Sequence, residues 1–246
     1  MERGLSIAQQ RSLPIIERSV VSPRIPDSEV WYSATHFSEV SNGDLISLWP
    51  DSSGNNRDAI DLGGQNPTYA TNIYHNNPAV RWDGGEALQP ENWPAPQEQP
   101  NTIVLVGQRT LLNNDGGDNN YFTDGPSGNR HALIHSAPDG NERIWSDTSA
   151  DFTFTPDTNW HIYVVVFDGT DSVMRRDGIS DTTEESPGLY SYGAPIIGNR
   201  YSIENDHRAF RGYIGEYIGY FRRLSDIEIN RIESALSIKW GIELLG

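Results

Sequence analysis

Two stretches of this chain are apolar at every position, Ile103-Val104-Leu105-Val106 and Ile162-Tyr163-Val164-Val165-Val166-Phe167. Runs this short and this rich in β-branched residues read as strands covered on both faces, so they belong inside the molecule. Asp151-Phe152-Thr153-Phe154-Thr155 alternates instead, which predicts a strand with one aromatic face and one wet face. Turn signals recur at short intervals: Asn42-Gly43, Asp83-Gly84-Gly85, Asp115-Gly116-Gly117, Asp139-Gly140, Asp168-Gly169 and Asp177-Gly178. Many short strands joined by such turns, with no strand-helix alternation, predict an all-β fold: two antiparallel sheets packed as a sandwich.

The length of 246 residues suits one large sandwich, and the absence of cysteine means that its core must hold without disulfides. A formal charge of -16 repels phosphate backbones and anionic bilayers, so we expect neither nucleic acid nor membrane insertion among its partners. Met1 to Gln10 lacks the basic start and apolar stretch of a secretory signal, and no run approaches the ~20 apolar residues of a membrane span. The expectation is a protein made soluble in the cytoplasm, with the redox compartment left open.

Residues 1–28 read as an extended arm ahead of a domain over 29–246. Ile7, Leu13, Ile15, Ile16, Val20 and Val21 follow no steady period, and Pro14, Pro23 and Pro26 break any long helix. Four arginines, Arg3, Arg11, Arg18 and Arg24, against Glu2 and Glu17 give the first 26 residues a net +2 and leave -18 on the rest. That contrast predicts docking onto an acidic neighbour through Arg3, Ile7, Arg11, Ile15, Ile16 and Val20. The alternative is a solvated tail. A single helix is signalled near the other end. Ser225 and Glu228 form a capping-box pattern, Ile229, Ile232, Leu236 and Trp240 fall on one stripe, and Gly241 ends it.

Larger patterns then come into view. Leu48-Trp49-Pro50-Asp51-Ser52-Ser53-Gly54-Asn55-Asn56, Pro67-Thr68-Tyr69 and Pro78-Ala79-Val80-Arg81-Trp82-Asp83-Gly84 resemble the opening of laminin-G-like jelly rolls of the concanavalin class. Ile197-Gly198-Asn199, Phe210-Arg211-Gly212-Tyr213-Ile214-Gly215-Glu216-Tyr217, Arg223-Leu224-Ser225-Asp226-Ile227-Glu228 and Lys239-Trp240-Gly241-Ile242 resemble its closing strands and final helix. The resemblance covers about Val30 to Ile242. The residues also have structural readings of their own: Trp49 enters the core before a turn that Asp51, Ser52 and Asn55 stabilise, and Gly215 and Gly219 are expected to share a face with Tyr217, leaving room for an overlying group.

Many folds of this class are glycan hydrolases or lyases, so the residues have to decide. A retaining glucanase needs carboxylates at alternate positions of one strand, about 5–5.5 Å apart. Asp226-Ile227-Glu228 comes nearest but sits at a helix start, where capping explains both acids, and Glu216 stands alone. His131 and His135 have the spacing of a helical zinc pair, but on a strand their rings lie about 13 Å apart, and they read as polar residues on one sheet face. Calcium binding has its densest candidate in Asn113, Asp115, Asp118 and Asn119, which equally describe an ordinary solvated loop. We therefore expect no enzyme.

Glycan sites set aromatic faces among hydrogen-bonding side chains, and Trp93, Tyr121, Arg130, Tyr190, Tyr192, Asn199, Arg200 and Tyr201 supply such sets. The expected function is a virion component of a bacteriophage, a capsid decoration or tail appendage, in an oligomeric or symmetric assembly. Its arm would hold it to other virion proteins and its lectin-like sandwich would adhere to host glycans. The alternatives are a secreted or cell-surface bacterial adhesion module and a glycan-cleaving enzyme.

Overall fold

The computed structural model describes residues 25, 27–63, 65–112, 117–137, 140–182, 185–203 and 208–246, with residues 117–119 and 135–137 as backbone. Arg3, Ile7, Arg11, Ile15, Ile16 and Val20 lie outside the described residues, and so do Asn113 and Asp115. Asp118 and Asn119 belong to a strand, and their side chains are likewise outside the description.

Two eight-stranded antiparallel sheets form a sandwich, as the strand and turn pattern predicts. The first sheet runs, in spatial order, Ile179–Thr182 (β14), Val173–Arg176 (β13), Trp160–Phe167 (β12), Asn101–Arg109 (β7), Arg211–Tyr220 (β16), Asn77–Asp83 (β5) and Thr68–Tyr74 (β4). Val30–Ser33 (β1) also pairs with β16. The second runs Thr148–Phe152 (β11), Asn141–Ser146 (β10), Ala132–Ala137 (β9), Gly117–Asp124 (β8), Ile196–Ile197 (β15), Leu88–Pro90 (β6), Ala59–Asp61 (β3) and Leu48–Trp49 (β2). No described helix is long and apolar enough to cross a membrane.

The space between the sheets is filled by Trp49, Trp82, Phe122, Ile144, Phe152, Phe167, Phe210 and Tyr217, all buried. Within it, Arg109 of β7 reaches across to Glu142 of β10 with paired bonds of 2.7 and 3.0 Å, and Tyr163 donates to the same carboxylate at 3.1 Å. Leaving either charge alone there would cost several kcal/mol, roughly 3–5, so the pair fixes how the layers face each other.

A second apolar layer covers the outside of the first sheet. Val104, Val106, Ile162, Val164 and Val166, the alternate residues of the two continuous runs, pack under Ile229, Ile232, Leu236 and Trp240 of the helix Asp226–Trp240 (α1). The capping box of Ser225 and Glu228 and the left-handed Gly241 (φ 67°) close its two ends. Glu216, solitary in the sequence, is buried under this layer. It accepts from Trp31 Nε1 at 2.9 Å, Ser33 Oγ at 3.0 Å and Trp240 Nε1 at 3.2 Å, and pairs with Lys239 at 2.5 Å. It ties β1, β16 and α1 together.

Two expectations need correction. Gly215 and Gly219 face opposite ways, because a register shift between Ile214 and Glu216 turns the strand over. A Cβ at Gly215 would meet the Trp240 ring on the outside, and one at Gly219 would meet Tyr192 on the inside. His131 lies just ahead of β9 instead of on the strand: its ring is fully buried, 4.0 Å from Phe167 and 5.1 Å from Tyr192, stacked nearly parallel to both. Asp151-Phe152-Thr153-Phe154 keeps its alternation, with both phenylalanines buried, although β11 ends at Phe152.

Candidate functional site

The outside of the second sheet is finished differently. No described helix lies over it, and its buried apolar cluster is a small one of Tyr121, Ala132 and Ile134, with the half-buried Trp145 packed against it. Register explains why these residues face outward. Leu133 and Ile144 point into the sandwich, so their neighbours Ala132, Ile134 and Trp145 point away from it, and Trp145 stands directly opposite Ala132.

Asp124, the last residue of β8, organises this face. Fully buried, it accepts from the backbone of Gly125 at 2.8 Å and of Tyr201 at 3.1 Å, from Arg130 Nη2 at 2.8 Å, and from Arg130 Nε at 2.8 and 3.1 Å. Burial pushes its carboxyl above the ordinary value, against the pull of the Arg130 guanidinium and the two amides. Held this way, Arg130 lies 3.9 Å from the centre of the Trp145 ring and 4.6 Å from that of Tyr201, and Arg200 lies 4.6 Å from the same Tyr201 ring. Tryptophan, arginine, tyrosine and arginine thus alternate in a stack fixed from below.

The loops that deliver these groups are locally determined. Gly125 has no room for a side chain against Asn129 O and Arg130 Cα, which lets the chain turn from Asp124 back to Arg130. Gly198 (φ 84°) passes over the Trp82 indole, where a Cβ would collide, and leads into Arg200 and Tyr201. Tyr190 reaches the same region edge-on to Trp145, ring centres 5.8 Å apart, and its hydroxyl is held protonated to higher pH by a hydrogen bond to Asp147. Beside them Arg143 grips Asp151 through Nε and, at 2.8 Å, through Nη2.

Of the eight residues singled out for glycan contact, the structure gathers Tyr121, Arg130, Tyr190, Arg200 and Tyr201 here. Tyr121 and Arg130 are buried supports, whereas Tyr190, Arg200 and Tyr201 reach the surface. The other three stand elsewhere. Tyr192 is a core residue that shares a 2.6 Å hydrogen bond with Tyr217. Asn199 is fully buried, where its side chain accepts from Arg200 N at 2.7 Å and donates to Glu86 O at 3.3 Å. Trp93 packs edge-on against Tyr192 and Phe221, each 5.3 Å away. Asp124 and Trp145 escaped the sequence reading. Their signal lay in Asp124-Gly125-Pro126-Ser127-Gly128-Asn129-Arg130, a turn with opposite charges at its ends, and in an aromatic that alternates with Ile144.

Asp226 and Glu228 sit at the start of α1, where Glu228 completes the cap and binds Arg222 at 2.7 and 3.1 Å, contacts that lower its carboxyl to about 2. Other carboxylates are also partnered: His161 lies between buried Asp177 at 2.5 Å and the partly exposed Asp157 at 2.9 Å. Burial alone would lower the His161 pKa, and these two acids outweigh it and leave it raised.

No family model and no curated sequence matches this chain. Among solved structures it is similar to the ligand binding domain of botulinum neurotoxin serotype D in complex with N-acetylneuraminic acid (TM-score 0.60, 13% identity, 88% of this chain and 54% of that one). It is similar to domain 4 of AbnA, a GH43 extracellular arabinanase from Geobacillus stearothermophilus, in complex with arabinotriose (TM-score 0.58, 16% identity, 79% of this chain and 99% of that one). It is also similar to Trypanosoma rangeli sialidase in complex with the inhibitor DANA (TM-score 0.53, 13% identity, 83% of this chain and 32% of that one). The chain thus spans about a third of the sialidase, and at these identities the likeness is one of fold.

Proposed function

We propose that this chain is a non-enzymatic carbohydrate-binding domain whose glycan rests on the outer face of the second sheet, against Trp145, Tyr190 and Tyr201. The observation that carries the reading is the stack of Trp145, Arg130, Tyr201 and Arg200 held from below by buried Asp124. It keeps partly exposed rings rigid beside polar groups, which is what recognition of a sugar's apolar face and hydroxyls requires. Asp124 and Asp151 on this face are each bound by an arginine, which disfavours them as general acid or base. The arabinotriose and N-acetylneuraminic acid in two structures of the same fold support the reading.

A glycan array probed with the whole chain tests it. We expect a carbohydrate hit whose affinity falls by roughly tenfold or more in Tyr201→Ala and Trp145→Ala, the loss of about one stacked ring. An array without a hit, or new reducing ends after incubation with the bound polysaccharide, overturns it.

At a finer level the domain is a laminin-G-like module of a virus particle, held there by residues 1–28. What supports this is the +2 of residues 1–26 against the -18 of the rest. Co-purification with intact particles that survives deletion of residues 1–28 contradicts the anchoring role of that segment, and failure of the whole chain to co-purify favours a secreted or cell-surface module.

A further inference from the structure

The register of the second sheet places Trp145 at one end of a line that crosses every strand from β10 to β2. Trp145 stands opposite Ala132, Ile196 opposite Asp124, Gln89 opposite Ile60, and Ile60 opposite Leu48. The adjoining pairs, Thr123 with Leu133 and Ile197 with Leu88, supply the missing links, putting Asp124 beside Ala132 and Ile196 beside Gln89. All these residues share the outer face, because Trp49, Ala59, Leu88, Ile197 and Leu133 occupy the core. Six interstrand steps of ~4.8 Å make the line about 29 Å long.

Its middle is buried, but not lost. The turn Arg200–Ile203, closed by Ile203 N donating to Arg200 O at 2.9 Å, lies across Asp124 through the Tyr201 amide. This turn carries the line at the surface: Tyr201, 37% exposed, sits against Arg130 on one side, and Ile203 lies against Gly63 on the other. Beyond Gly63 come Leu62, 37% exposed, the half-buried Ile60 and Leu48, 44% exposed. Ile203 has φ 46°, a conformation that a β-branched residue adopts at a cost. Strain of this kind persists where the surroundings impose it, and it gathers at ligand clamps. Isolated exposed leucines need no explanation. An aliphatic shelf in register with a rigid aromatic stack, and joined to it by a strained residue, does.

We propose that the line is one continuous track for an extended oligosaccharide of several units, lying across the strands, rather than a seat for a single terminal sugar. The proposal rests on the carbohydrate-binding reading above. Trp145 and Tyr201 take the apolar face of one end, and Ile203, Leu62 and Leu48 take the C–H faces of the units that follow. Gln89, whose amide donates to Ala194 O at 3.1 Å, keeps its carbonyl oxygen for a hydroxyl.

The test is the whole chain on an array of mono- to hexasaccharide ladders of arabinan, xylan, β-glucan and sialylated lactosamine, with affinities then measured by calorimetry. We expect affinity for the bound ladder to rise by roughly tenfold between the disaccharide and the penta- or hexasaccharide, a gain of about one well-packed apolar contact. Ile203→Asn is the decisive variant, because asparagine tolerates positive φ and the protein should fold at least as stably. It should lose most of the length-dependent gain, as should Leu62→Ser, while both keep the affinity for the shortest ligand. Binding that is independent of length, or a gain untouched by both variants, overturns the track and leaves the carbohydrate-binding reading standing. Binding to no ladder overturns both.

Discussion

The two sheets are built alike on the inside and finished oppositely on the outside. Over the first sheet, α1 buries Val104, Val106, Ile162, Val164 and Ile218, and the stack of Tyr74, Trp160 and Trp240 (ring centres 5.3 Å apart at each step) seals the layer. Over the second sheet, the helix is replaced by turns, and Trp145 and Tyr201 are interleaved with arginines instead of stacked on one another. Aromatic rings serve stability on one face and stand available on the other. A chain that spends a helix and its best apolar residues on one side keeps the other free to meet a ligand.

That contrast breaks most visibly if matching tryptophans are truncated. Trp240→Ala should destabilise the fold by about 3–5 kcal/mol, because it empties a fully buried site under Gly215 and leaves Glu216 with one donor fewer. Trp145→Ala should cost about 1 kcal/mol or less, since its ring is half exposed and Arg130 keeps its bonds to Asp124. Urea denaturation of both variants reads the difference, and equal losses would mean that the two faces are not distinct in kind.

Acid sharpens the comparison from below. His131 Nε2 donates to Tyr190 O, 2.9 Å away, and burial lowers its pKa to about 3. The folded state therefore binds fewer protons than the unfolded chain between about pH 3 and the ordinary 6.5, and the stability present at neutral pH is lost as pH falls through that window. The loss should reach about 3 kcal/mol from pH 7 to pH 4. His131→Phe keeps the stack with Phe167 and Tyr192 and should flatten this part of the profile, measured as denaturation midpoints against pH. An unchanged slope would place the acid sensitivity elsewhere. His161 acts in the opposite sense: its pKa is raised, so its contribution is complete at low pH and fades as pH rises through the folded value.

The smallest expected effect belongs to the covering helix alone. Ser225→Ala removes the acceptor of the Glu228 amide and should cost about 1 kcal/mol while leaving glycan affinity unchanged. A loss of binding in this variant would show that the covered face reaches the ligand.

The architecture was legible because it rests on local patterns. The doubly apolar runs at 103–106 and 162–167, the stripe of Ile229, Ile232, Leu236 and Trp240, and the Asp51 turn all fold as their residues dictate. Asp51 indeed accepts from Trp31 N at 3.0 Å, Ser53 N at 2.9 Å and Arg57 N at 3.1 Å. The site was legible only in part, because a face is known once the register is known. One irregularity in β16 sends Gly215 and Gly219 apart, and another in β8, between Asn119 and Thr123, resets which residues face outward before Asp124. Tyr192 and Asn199 looked like contact residues because aromatics and amides near glycines describe a buried turn as well as a sugar site. Trp145 lacked any such neighbourhood in sequence, and its partner Arg130 comes from the next strand's approach.

Side-chain footprinting of the whole chain, with and without its glycan, tests the central claim most directly. Protection should concentrate on Tyr201, Trp145 and Tyr190, while residues around α1 such as Ile227 and Ile238, exposed in the free protein, keep their reactivity. Protection over α1, with the rings of the second sheet still reactive, would contradict the account.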